Sequence, residues 1–130
     1  MAIVMNHEPL IAIVDDDESF RGAVQALLQS AGRRAVTFAS ADQFLASGAA
    51  ATADCLILDL RMPGINGLEL QRRLRAAGLR IPTIVITAHA DDVSRARALA
   101  AGAATFLPKP FQPDVLLQAI DAAMRESWPS

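Results

Sequence analysis

Five short apolar runs, each followed by a stretch of helical periodicity, limit what this chain can fold into. The runs span 10–14, 34–38, 55–58, 81–87 and 104–107 and are rich in Ile, Val, Leu, Thr and Phe. Short runs without polar alternation are what strands buried on both faces require. The segments between them carry recognisable helix signals. Phe20, Val24, Leu27, Leu28 and Ala31 share one helical face, and Gly32 follows as a stop. Ser40-Ala41-Asp42-Gln43 has capping-box spacing, with Phe44 and Leu45 apolar and Gly48 ending the run. Asn66 suits the cap of a helix carrying Leu68, Leu70 and Leu74, closed by Gly78. Asp91 or Asp92 suits the cap of the next, from Val93 to Ala101, closed by Gly102. Pro113 fits the first turn of a last helix holding Val115, Leu116, Ile120 and Met124. The Ala/Gly-rich stretch from Ala46 to Ala53 reads as a helix end plus a surface loop.

Five βα units fill the chain and imply a parallel sheet covered by helices on both faces. The fold class expected is α/β, a flavodoxin-like doubly wound (βα)5 with strand order 2-1-3-4-5. At 130 residues the chain is expected to be one domain, 1–130, with its core at about 9–125. A net charge of −2 gives it no electrostatic attraction to nucleic acid or anionic membrane. No apolar stretch approaches the roughly 20 residues of a membrane helix. Met1 to Pro9 shows no basic segment before an apolar one, so no signal peptide is expected, and a cytoplasmic location is. Cys55 is the one cysteine, and its place in a strand-like run predicts a buried thiol.

In open α/β sheets ligands bind beyond the carboxyl ends of the strands, where the strand order reverses. For this order the reversal falls between the first and third strands. The first runs into Asp15-Asp16-Asp17 and the third into Asp59. The fourth ends at Thr87, and the fifth is followed by Lys109, the one lysine beside eleven arginines. Two carboxylates about 5 Å apart repel by ~3 kcal/mol at an effective dielectric near 20. One ammonium cannot neutralise such a cluster, which implies a bound cation. Hard oxygen ligands without neighbouring His or Cys favour Mg²⁺ or Mn²⁺ over zinc. Not every acid needs such a role. Asp17 suits a cap of the following helix, and Asp54, at the start of a strand, reads as a surface group.

The segments Ile13-Val14-Asp15-Asp16-Asp17-Glu18, Leu58-Asp59-Leu60-Arg61-Met62-Pro63-Gly64-Ile65-Asn66-Gly67, Ile84-Val85-Ile86-Thr87-Ala88-His89 and Ala101-Gly102-Ala103 through Phe111 resemble the receiver domain of two-component response regulators, most of all the FixJ type. The likeness spans roughly residues 9 to 125 in the right order. It implies that Asp59 is the phosphoacceptor, served by the phosphohistidine of a sensor histidine kinase. It implies Mg²⁺ ligation by the carboxylates of Asp16 and Asp59, by Arg61 through its backbone carbonyl, and by Asp15 largely through water. Lys109 and Thr87 would bind phosphoryl oxygens, and Phe106 would hold the aromatic switch position beside Thr87. The resemblance further implies a cis Lys109–Pro110 bond. The surface of the helix 92–101 and strand 104–107 is expected to respond to phosphorylation and to pair two copies or dock an output domain. Phe106 lacks a tyrosine hydroxyl, so only packing can hold it inward. Arg61 and His89 flank the mouth of the site at variable positions. Arg72, Arg73, Arg75 and Arg80 read as a solvated helix face.

A different class is also legible. Asp15-Asp16-Asp17-Glu18-Ser19 is similar to the D-x-D-x-S nucleophile motif of haloacid-dehalogenase-type phosphatases. There the late acidic pair follows the lysine, whereas Asp91-Asp92 precedes Lys109, and Asp59 would have no task. A receiver-like module that never meets phosphate would not need the acidic edge. FixJ-type receivers usually precede a helix-turn-helix DNA-binding domain, and none follows Ser130. Both a free-standing receiver and a shortened chain fit that ending.

Overall fold

The computed structural model describes residues 8–62, 64–88 and 90–127. Pro63, His89, Met1–His7 and Trp128–Ser130 lie outside the described residues. In chain order the elements are β1 (Leu10–Val14), α1 (Glu18–Ser30), β2 (Arg34–Phe38), α2 (Ala41–Ser47), a 3₁₀ turn at Ala49–Ala51, β3 (Cys55–Leu58), α3 (Gly67–Ala76), β4 (Thr83–Thr87), α4 (Asp92–Ala100), β5 (Thr105–Pro108) and α5 (Pro113–Ser127). Among the described residues the strands form one sheet of order β2-β1-β3-β4-β5, with every pairing parallel. This is the flavodoxin-like arrangement expected from the βα alternation.

Side chains alternate across a strand, so each buried strand feeds both faces of the sheet. Ile11, Ile13, Cys55, Ile57, Ile84 and Ile86 face Val24 and Leu28 of α1 and Leu116, Ile120 and Met124 of α5. The intervening residues Ala12, Val14, Leu56 and Leu58 face Ala41 and Phe44 of α2 and Leu70 and Leu74 of α3. A smaller cluster joins Val85 and Phe106 to Ala98 of α4 and Ala103. Each fully buried Ile or Leu contributes about 1.5–3 kcal/mol. The apolar runs therefore hold the sheet by burial, without needing polar partners.

The helix ends follow their local chemistry. Asp17, Ser40, Asn66 and Asp91 each accept a backbone N–H from the first turn of the helix that follows. Of the two acids offered for α4, Asp91 is the cap. The Ser40 box differs slightly from its expected form, because Gln43 Oε1 accepts from the Ala39 N–H and not from that of Ser40. Gly48 closes α2 at φ 81°, a left-handed conformation that costs glycine nothing.

Four details differ from the sequence expectation. β4 begins at Thr83, not residue 81, because Pro82 has no N–H to give the ladder; its carbonyl still accepts from Leu56. β5 is displaced one residue toward Lys109 and runs to Pro108, which pairs with Thr87. The 46–53 stretch contains the 3₁₀ turn, and Ala49, Ala50 and Ala53 pack against the α2/α3 core, so it is not merely a surface loop. Asp54 is half-buried, and its carboxylate accepts the Leu10 N–H at 2.8 Å, stapling the start of β3 to the start of β1.

Cys55 is fully buried, and its thiol is pushed up to about 12, chiefly by desolvation. Its alkylation by iodoacetamide should be negligible in the native protein and complete in concentrated guanidinium chloride. Native-state alkylation at the rate of a free thiol would show that this central strand is accessible.

Candidate functional site

Each chemistry-bearing residue lies just beyond the end of a strand and is held there by the ladder itself. Asp15 donates its N–H to the Phe38 carbonyl, Asp59 to that of Val14, and Lys109 to that of Thr87, at 3.2, 3.2 and 2.9 Å. Parallel pairing thus brings residues distant in sequence to one edge. The Lys109 ammonium donates to Asp15 Oδ2 at 2.8 Å and to Asp59 Oδ2 at 3.1 Å. Oxygens of Asp15, Asp16 and Asp59 all lie within 4.8 Å of one another. Asp15 is 1% exposed and Asp59 8%, while Asp16 stands in solvent. Thr87 is wholly buried at the end of β4.

Short-range hydrogen bonds set the carboxylates. Asp15 Oδ1 accepts the Asp17 N–H at 2.9 Å, and the Asp15 carbonyl accepts from Arg21 Nη1 at 2.7 Å. Asp59 Oδ1 accepts the Arg61 N–H at 3.2 Å. Desolvation pushes the Asp15 carboxyl above its ordinary range, with the hydrogen bond from Lys109 opposing it. Burial pulls the Lys109 ammonium downward, but its hydrogen bonds to Asp15 and Asp59 outweigh that and keep it above the usual value. The lysine is therefore firmly charged, and it balances only part of the acid around it. Three hard carboxylate oxygens in so small a space suit a divalent cation such as Mg²⁺.

The surroundings separate roles that the sequence left open. Asp17 Oδ1 is committed to the N–H groups of Ser19 and Phe20, so it caps α1 and does not form a D-x-D pair with Asp15. Arg61 is exposed; its charge contributes to lowering the Asp91 carboxyl, after the larger effects of the Ser94 amide and hydroxyl. Phe106 is 5% exposed and already lies inward against Val85, Ala98 and Ala103, with Leu60 at the margin. The ring is therefore buried with Thr87 at the end of β4, and packing holds it there. Two alanines facing the ring leave room for it. In the arginine group, Arg72 and Arg73 pair with Glu69, and Arg75 donates to the Ala100 carbonyl.

Sequence reasoning missed Gly67. A Cβ there would meet the Asp59 carbonyl oxygen at 2.3 Å and Leu60 Cα at 2.9 Å, both backbone atoms. The start of α3 is thereby pressed against the loop that carries Asp59, and the Gly67 N–H donates to the Leu60 carbonyl. Close approach of this kind leaves no periodic signal. Gly67→Ala should lower stability by about 1–3 kcal/mol in urea denaturation, whereas Gly22→Ala, with open space around the added carbon, should not. Equal stabilities would show that the α3 start is free to retreat.

Comparison with known proteins agrees with this geometry. The response regulator receiver domain family matches residues 11–121. The response regulator protein TmoT of Ectopseudomonas mendocina is 42% identical over 120 residues, covering 92% of this chain and 54% of that one. The transcriptional regulatory protein FixJ of Bradyrhizobium diazoefficiens is 36% identical over 120 residues, 92% of this chain and 58% of that one. The crystal structure of FixJ-N superposes with a TM-score of 0.85 at 36% identity, covering 95% of this chain and 98% of that one. The chain spans about half the length of the curated relatives it matches. With the match running through every strand and through Asp15, Asp16 and Asp59, this chain belongs to the response regulator receiver domains, in their FixJ-type branch.

Proposed function

We propose that Asp59 accepts a phosphoryl group from the phosphohistidine of a sensor histidine kinase. The observation that carries this reading is the Lys109 ammonium shared between Asp15 and Asp59 at the carboxyl edge of the sheet. In the transfer an Asp59 carboxylate oxygen attacks phosphorus in line, the P–N bond breaks as the O–P bond forms, and the imidazole leaves with the electron pair. Lys109 then exchanges its contact with the Asp59 carboxylate for a phosphoryl oxygen, and the Thr87 hydroxyl takes another. Asp15, Asp16, Asp59 and the Arg61 carbonyl would hold Mg²⁺ or Mn²⁺, which when bound neutralises charge on the transferring group. Such chemistry is mostly positioning and charge stabilisation. The domain in this sense promotes its own phosphorylation and dephosphorylation without being a conventional enzyme. Incubation with an acyl-phosphate donor and Mg²⁺ should label Asp59. Asp59→Asn should abolish the label, and Asp54→Asn, at the staple to Leu10 and away from the carboxyl edge, should keep it. Equal labelling of the two variants would sink the assignment.

The signal is read as a change at the α4–β5 surface. Val93 and Leu99 of α4 are exposed apolar residues, 60% and 39%, and Ala98 is the α4 residue buried against Phe106. A helix held by so little apolar surface moves at low cost. Once Asp59 carries a phosphoryl group, Thr87 moves toward it, and α4 shifts over a Phe106 ring that packing already keeps inside. The altered face would pair two copies or dock an output domain. Nucleic-acid contact would belong to a separate segment, and the transcriptional regulators among the relatives support a transcriptional output. Among the described residues no helix is long and apolar enough to cross a membrane, in keeping with a proposed cytoplasmic role. Thr87→Ala should leave labelling largely intact while weakening phosphorylation-dependent self-association in sedimentation. Unchanged association would mean that the coupling runs through other residues.

A further inference from the structure

An ammonium group has three N–H donors, and the surroundings of Lys109 account for each of them. Two reach Asp15 Oδ2 and Asp59 Oδ2. Nζ also stands 4.0 Å from the centroid of the Phe20 ring, within cation–π range. That ring is held from two directions. Phe20 sits in the first turn of α1, where its own N–H donates to the capping Asp17. Its ring also meets Phe111 edge to face, with centroids 5.9 Å apart at 80°. Phe111 lies two residues beyond Lys109, so the segment carrying the lysine also braces the ring that faces it.

We propose that Phe20 is a positioning residue for phosphoryl transfer, its ring face holding the Lys109 ammonium so that the remaining donors stay aimed at the carboxylate pair. The inference rests on the reading of Asp59 as phosphoacceptor. A third carboxylate at this place would neutralise the lysine and compete with the incoming phosphoryl oxygens. Bulk water there would leave the side chain free to swing. The quadrupole of an aromatic face attracts the cation without adding a formal negative charge. Lys109 can then exchange a carboxylate oxygen for a phosphoryl oxygen while its third side stays fixed.

Fluorination of the ring weakens the negative face in steps and changes its size little. Mono-, di- and trifluorophenylalanine introduced at position 20 of the 130-residue chain should slow labelling of Asp59 by an acyl phosphate in proportion to fluorine number. The total should reach about 3- to 10-fold, with an unchanged melting temperature. Affinity for beryllofluoride with Mg²⁺ should fall in the same order, Phe20→Trp should retain the native rate, and Phe20→Leu should lose at least as much as the trifluoro ring. A flat series with intact labelling at Asp59 would overturn the role of Phe20 and leave the phosphoacceptor standing. A rate loss that tracked loss of melting temperature would overturn it too. Absence of any label on the native chain would remove the phosphoacceptor reading and this inference with it.

Discussion

The Lys109 ammonium has to reach two carboxylates that the chain would otherwise keep apart from it by 94 and 50 residues. Everything at the carboxyl edge is organised around that contact. β1 and β3 are neighbours in the centre of the sheet, so Asp15 and Asp59 emerge side by side and largely dry. Two desolvated carboxylates at such a distance would be unfavourable without a counter-charge. The lysine supplies part of it, and the Asp15 carboxyl is still pushed above its ordinary range. The site thus carries more acid than its one ammonium balances, a setting compatible with a divalent cation.

Stability and function are separated in space by the same sheet. The faces of the strands are filled with Ile, Val and Leu against α1 and α5 on one side and α2 and α3 on the other. The carboxyl edge carries the acids, Thr87 and Lys109. α4 belongs to neither large cluster, and β5 touches one of them through Leu107. The small core around Val85, Phe106, Ala98 and Ala103 is the least extensive apolar packing among the described residues. Gln71 of α3 reaches across to the Ala98 carbonyl at 3.3 Å, and Arg75 to that of Ala100 at 3.4 Å. The carboxyl-terminal half of α4 is therefore tied to α3, while its opposite end depends on the Asp91 cap. A helix held in this way is suited to tilting about one end.

The elements were legible because local rules govern them. Caps at Asp17, Ser40, Asn66 and Asp91 and the buried strand runs need only a few neighbouring residues to be recognised. The strand boundaries missed by one or two residues were those at proline, where Pro82 leaves the ladder without an N–H and Pro108 still takes a place in it. Asp54 was misread for a related reason: its partner, the Leu10 N–H, is 44 residues away and invisible to periodicity. Phe20 was legible as a helix-face position but not as the neighbour of an ammonium. The signal for that role was its place just past the acids, which has meaning only once Lys109 is known to reach back to Asp15 at the end of β1.

By itself the sequence determined the βα alternation, the placement of Asp15, Asp16, Asp59, Thr87 and Lys109 just beyond or at strand ends, and hence the side of the sheet on which the chemistry would sit. These follow from hydrophobic periods and capping residues, which act over a few residues. Tertiary structure alone decided that Lys109 bridges Asp15 and Asp59, that Phe106 is packed inward, that Gly67 must lack a side chain, and that Phe20 stands over the ammonium. Each of these depends on ångström-scale distances between elements. Those distances are set by strand register and helix packing, which no local pattern encodes.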